Sequence, residues 1–209
     1  MKKTHIQPES FVPLCPSDFI GGANRIALIL KGKSARLIRE GTGTAKVLLF
    51  GVPGTGKTRL AELFARQLTT HSVQIETTNG RNVSMEAIRR WQEAERYTNL
   101  FDGFSVKIVD EIDTCPASAQ DLLLSYLDRM PPRSAFIGTS NLELRQLHER
   151  FQTRLQQFKV EPPSTDEINA LLGRWKLKKS HINEIAVGSG GNVRAALLDA
   201  QSILDAEAA

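Results

Sequence analysis

Gly51-Val52-Pro53-Gly54-Thr55-Gly56-Lys57-Thr58 decides the fold. The string has the spacing G-x-x-x-x-G-K-S/T, and its flanks suit it. Val47 to Phe50 is a short apolar run of the kind a buried strand shows. Thr58 to Leu68 puts Leu60, Leu63, Phe64 and Leu68 on one helical face. Glycines let backbone N–H groups turn inward around a phosphate chain, and a helix N-terminus adds its partial positive charge. Lys57 can then reach the β- and γ-phosphates of a nucleotide, while the Thr58 hydroxyl can ligate Mg²⁺. A glycine-rich turn with a chance lysine is the competing reading, and the strand–loop–helix context argues against it.

Outward from this loop, apolar runs alternate with helical patterns. Strands are predicted at Val73–Glu76, Ser105–Val109, Ser134–Gly138 and Phe158–Val160, with helices over 25–38, 83–97 and from Pro116 onward. Such alternation implies a five-stranded parallel sheet covered by helices on both faces, an α/β core. It stops at Pro162-Pro163. Beyond, Ser164-x-x-Glu167 is a capping box that opens a helix with Ile168, Leu171, Leu172 and Trp175 inward. A second helix spans Ser180 to Val187, and Asn192 caps a third. The division is a lead-in over 1–24, a core over 25–162 and a small three-helix lid over 163–209.

The 209 residues, 41% hydrophobic and 24% charged, have globular composition, which excludes disordered and fibrous classes. Net charge is +4, from 27 basic and 23 acidic residues, which permits a phosphate-rich partner without demanding one. Cys15 and Cys115 are far apart and belong to no His or Cys cluster, so neither a disulfide framework nor a zinc site is expected. No apolar run approaches the roughly 20 residues of a membrane span. A soluble cytoplasmic protein without a membrane partner is the expectation.

Ile108-Val109-Asp110-Glu111 ends the predicted third strand, where open α/β sheets bind ligands. There Asp110 would hold Mg²⁺ through its water shell, and Glu111 could act as general base on the attacking water. Two solvated carboxylates at a strand end are the alternative. Asp113 stays outside the catalytic set.

Together these residues resemble the AAA+ ATPases, and within them the clamp-loader and replication-initiator branch. Asp110-Glu111-Ile112-Asp113 is similar to its Walker B motif, and Thr139-Ser140-Asn141 to its sensor 1, with Asn141 the polar residue facing the γ-phosphate. Arg150-Phe151-Gln152-Thr153-Arg154 is similar to the element whose last Arg is a finger reaching a neighbouring subunit's ATP. Arg154 is the candidate and Arg150 the backup. Gly191-Asn192-Val193-Arg194 resembles sensor 2, which places Arg194 over the γ-phosphate. Pro13 to Gly21 is similar to the lead-in that packs around adenine, with Phe19, Ile20 and Gly21 as contacts and Phe11 and Val12 in place of the usual aromatic and Arg. Arg59, after the phosphate loop, joins the nucleotide-binding set. The resemblance thus implies ATP and Mg²⁺ as cofactors and other AAA+ subunits as partners in a ring. Thr77-Thr78-Asn79 falls near the segment that couples substrate to the catalytic Glu in clamp loaders.

Three functions follow. One is a DNA-associated loader, with Arg81, Arg89, Arg90 and Arg96, and on the lid Lys176, Lys178 and Lys179, as phosphate contacts. Solvated charge balanced by Glu86, Glu93 and Glu95 is the bland reading of those residues. The second is a protein-remodelling ATPase with Tyr97 and Phe101 to Phe104 as pore candidates. The third, a scaffold that binds ATP without hydrolysis, is opposed by intact Lys57, Asp110, Glu111 and Asn141.

Overall fold

The computed structural model describes residues 7–95, 103–143, 146 and 149–208. Five strands form one sheet in the order β2-β3-β4-β1-β5: β1 (Thr44–Phe50), β2 (Ile75–Asn79), β3 (Ser105–Asp110), β4 (Ser134–Ser140) and β5 (Gln156–Lys159). Every pairing is parallel. The inner strands are almost wholly buried, so they read as continuous apolar runs and not as alternating ones.

Alternate residues of β1 feed two cores. Val47 and Leu49 pack under α1 (Gly21–Glu40) and α2 (Lys57–Leu68). Leu48 and Phe50 face α3 (Met85–Ala94), α4 (Ala117–Asp128) and the short α5 (Glu149–Gln152). A third cluster holds the lid together, with Ile168 and Leu172 of α6 (Thr165–Leu172), Ile185 of α7 (Lys179–Gly188) and Ala196 and Ala200 of α8 (Val193–Ala208). The capping box of α6 is formed: the Glu167 amide donates to Ser164 Oγ, and the Ser164 amide to Glu167 Oε2 at 2.8 Å. Glu167 Oε1 also accepts the Gly21 amide at 3.1 Å, which ties the lid to the start of α1.

Two elements start elsewhere than the sequence pattern predicts. Helix α1 begins at Gly21, inside the stretch expected to be an irregular lead-in. Two glycines are poor helix formers, but packing requires them there. A Cβ on Gly22 would come within 2.7 Å of the Glu161 amide nitrogen. Strand β2 begins at Ile75, while Val73 lies in a 3-10 turn and is 77% exposed.

Because all five strands run the same way, their C-terminal ends meet at one edge. The chain leaves β1 for the far side of the sheet and returns through β3 to β4, beside β1. That reversal is the topological switch point of an open α/β sheet, where a crevice opens. Register places Asn79 beside Asp110, and Leu49 and Phe50 beside Thr139 and Ser140.

Candidate active site

The loop after β1 is shaped by conformations that only glycine adopts at low cost. Gly51 has φ 138° and lies so close to β5's exit that a Cβ would meet the Val160 carbonyl oxygen at 2.6 Å. Gly56 is the left-handed N-cap of α2, at φ 91°. Lys57 follows at 5% exposure, and its ammonium donates to the carbonyls of Gly51 and Val52, both at 2.8 Å. Burial pushes its pKa down to about 8, with the Asp110 carboxylate acting in the opposite direction. A phosphate chain in this loop would compete with those two carbonyls for the lysine's protons.

Thr58 and Asp110 meet across the crevice, the Thr58 hydroxyl donating to Asp110 Oδ1 at 2.8 Å. No cluster of three or more His, Cys, Asp or Glu side chains able to hold a metal exists among the described residues. One hydroxyl and one carboxylate suit Mg²⁺, a hard cation that keeps waters and takes substrate phosphates instead of a protein cage. The residues present therefore fit that ion.

Glu111 is the strained residue of the site. Its backbone is left-handed, at φ 56° and ψ 54°, unusual for a residue with a side chain. That turn takes its carboxylate out of the β3 line and between two amides. Asn141 Nδ2 donates to Glu111 Oε1 at 3.2 Å, and Asn79 Nδ2 to Oε2 at 3.3 Å. Asn79 Oδ1 in turn accepts the Arg81 amide at 3.1 Å. The Thr139 hydroxyl, donating to Asp110 Oδ1 at 2.6 Å, accepts the Glu111 amide at 3.0 Å. Gly80 makes the turn possible, since a Cβ there would sit 2.1 Å from the Glu111 carbonyl oxygen. Gly80→Ala must move one backbone or the other, an overpacking cost of about 1–3 kcal/mol. At about 2–4 °C per kcal/mol for a chain of this size, thermal unfolding should fall by roughly 2–12 °C. An unchanged Tm would mean the two turns do not approach so closely.

Two cavities flank the loop. One, lined by Pro53, Lys57, Thr58, Asp110, Glu111 and Asn141, holds the polar groups. The other, about 350 Å³, is walled by Phe11, Pro13, Phe19 and Ile20 from the lead-in and Leu171 and Leu197 from the lid, with Gly54, Thr55 and Gly56 as its floor. Arg59 and Arg194 line both. At the first turn of α8 the Arg194 amide donates to the Gly54 carbonyl at 3.3 Å. Asn192 caps that helix, accepting the Ala195 amide at 3.0 Å, so lid and loop touch directly.

Most residues singled out in the sequence thus converge. Gly21 does not: it lines neither cavity and sits against Pro163. Arg154 lines neither cavity. Its guanidinium makes a bidentate pair with Asp128 at the end of α4, at 2.8 and 2.9 Å, and Arg150 pairs with Asp121 two turns earlier at 2.7 Å. Arg81, Arg89 and Arg90 are exposed, Arg90 lying 3.6 Å from Glu76. Lys178 pairs with Glu207 at 2.9 Å. Arg96, Tyr97 and Phe101 lie outside the described residues, and Phe104, 1% exposed, is part of the core. The lid's Leu171 and Leu197 escaped notice as cavity walls because helical spacing marks them only as inward.

A family model described as the ATPase family associated with various cellular activities (AAA) matches residues 47–162. The chain belongs to the AAA family. Replication-associated recombination protein A of Escherichia coli is 31% identical over 150 residues, covering 69% of this chain and 32% of that protein. DNA polymerase III subunit gamma of Buchnera aphidicola is 24% identical over 161 residues, covering 66% of this chain and 43% of that one. The solved RuvB Holliday junction branch migration motor of Thermotoga maritima superposes with a TM-score of 0.71 over 95% of this chain and 66% of its own, at 22% identity. This AAA domain therefore spans less than half the length of those curated relatives. No helix among its described residues is long and apolar enough to cross a membrane.

Proposed function

We propose that this chain binds and hydrolyses ATP at subunit interfaces to drive a DNA-associated loading or remodelling step. The placement of Glu111 between Asn79 and Asn141 supports this most directly. A general base must be aimed at its water, and here two amides aim it from opposite sides.

In this reading adenine lies in the apolar cavity against Phe19 and Ile20. The triphosphate runs over the loop 51–58, where Lys57 meets the β- and γ-phosphates. Thr58 and Asp110 would hold Mg²⁺, which neutralises charge on the phosphates and orients them. Water attacks the γ-phosphorus in line, the bond to the bridging β–γ oxygen breaks, and the water's proton passes to Glu111. Asn141 orients that water, Arg194 brings the lid onto the γ-phosphate, and Arg154 serves the ATP of the next subunit.

The DNA half of the proposal rests on Asn79 and on its relatives in replication and recombination. Asn79 joins the Glu111 carboxylate to the Arg81 backbone, just ahead of the exposed Arg89 and Arg90 on α3. A phosphate backbone held by those arginines would pull on the segment that bonds the base. Steady-state ATP hydrolysis with and without primed duplex DNA tests this, with Lys57→Ala subtracting contaminants. Turnover should rise with DNA, and the stimulation should fall steeply between about 50 and 200 mM salt, because phosphate contacts release counterions. Turnover indifferent to DNA would move the reading to a polypeptide client.

A further inference from the structure

Thr139 belongs to β4 and is 2% exposed, yet it faces the polar cavity. A hydroxyl has one proton to give and two lone pairs with which to accept. Here the proton goes to Asp110 Oδ1 at 2.6 Å, and one lone pair takes the Glu111 amide at 3.0 Å. One buried oxygen thus fixes two consecutive acidic residues with different proposed jobs. The paired register of β3 and β4 ends at Val109 and Gly138, so at Glu111 the side chain of Thr139 replaces the next rung of the ladder. It satisfies an amide that the left-handed turn would leave without a strand partner.

The Thr58 hydroxyl bonds the same Asp110 Oδ1 at 2.8 Å. A cation taken on a Thr58 lone pair leaves that proton on Asp110, so both hydroxyls hold the carboxylate, and Thr139 is the one that also holds the Glu111 backbone. We propose that Thr139 is a positioning residue: it sets the Asp110 carboxylate for the divalent cation and the Glu111 backbone for proton abstraction. This deepens the ATPase reading and rests on it. Asn141, just past the end of β4, donates to the Glu111 carboxylate itself, so the two residues divide the task.

The test uses Thr139→Val, which removes the hydroxyl at nearly constant shape, and Thr139→Ser, which keeps it. Affinity for a fluorescent ATP analogue is titrated in EDTA and then against free Mg²⁺, alongside turnover. Outer-sphere partners of metal ligands typically contribute about 10- to 100-fold. Thr139→Val should therefore need at least about tenfold more Mg²⁺ for half-maximal tightening of nucleotide, with EDTA affinity unchanged and kcat lower, and Thr139→Ser should restore both. A hydroxyl that served stability alone would lower Tm and leave the Mg²⁺ midpoint where it was, and that result overturns the proposal. Because the midpoint is read from binding, it decides the role of Thr139 even if the wild type proves not to hydrolyse ATP. A wild type whose nucleotide affinity ignores Mg²⁺ would overturn it as well.

Discussion

Glu111→Gln should bind ATP as tightly as the wild type and turn it over about 10²- to 10⁴-fold more slowly, the usual contribution of a positioned general base. The change keeps the volume and removes the charge that accepts the water's proton. Nothing that grips the nucleotide is altered: Lys57, Thr58 and the walls of the 350 Å³ cavity lie on other elements. The two amides make the expectation sharper. Asn79 and Asn141 each donate to one carboxylate oxygen, and a glutamine offers only one acceptor. Its amide nitrogen can keep a bond only if Asn141 turns its own carbonyl toward it, since the Asn79 oxygen already accepts the Arg81 amide. Equilibrium binding of a fluorescent analogue and single-turnover hydrolysis separate the two effects. Unchanged turnover would remove the general base from Glu111 and return the carboxylate to a solvated strand end.

Local chemistry is what made most of the site legible in the sequence. The loop 51–58 needs glycines because its own backbone takes positive φ at Gly51, Gly54 and Gly56, a constraint written within eight residues. Asp110 and Glu111 are visible because a strand must end where its apolar run ends. Contacts made between distant segments are not written that way. That Thr139 bonds two residues 28 and 29 positions earlier follows from β3 and β4 being neighbours, an order that alternation alone does not specify. The start of α1 at Gly21 is set by residues 161–163, at the other end of the core. Propensity placed the edge strand two residues early because Val73 favours strand in isolation. In the fold it faces solvent.

Sequence and geometry meet differently at Arg154. The resemblance of residues 150–154 to the clamp-loader element implies a finger, and a finger has no use in the site of its own chain. The guanidinium indeed lies on Asp128, at the far end of α4 from the Glu111 turn, and touches neither cavity. That bidentate pair holds the Asp128 carboxyl below the usual carboxylate range, yet exposed ion pairs add little stability. Its removal should therefore leave the fold intact, which makes the finger test clean.

Arg154→Ala is expected to bind ATP and melt like the wild type while losing roughly 10³- to 10⁵-fold in turnover once subunits are assembled, the range for an arginine that neutralises the transferring phosphoryl group. Dilution supplies the control. At protein concentrations where the chain is monomeric, wild type and Arg154→Ala should be equally slow, since neither has a neighbour's guanidinium. Mixing goes further. Lys57→Ala keeps its finger but cannot grip ATP, while Arg154→Ala grips ATP but has no finger to offer. If the arginine acts in trans, an equimolar mixture should recover part of the wild-type rate at interfaces where an intact Arg154 meets an intact Lys57. A mixture no faster than the sum of its parts, together with a fast Arg154→Ala protein, would leave Arg154 as the partner of Asp128 and nothing more. The search for a finger would then move to Arg150, which holds Asp121 on the same face of α4 two turns earlier.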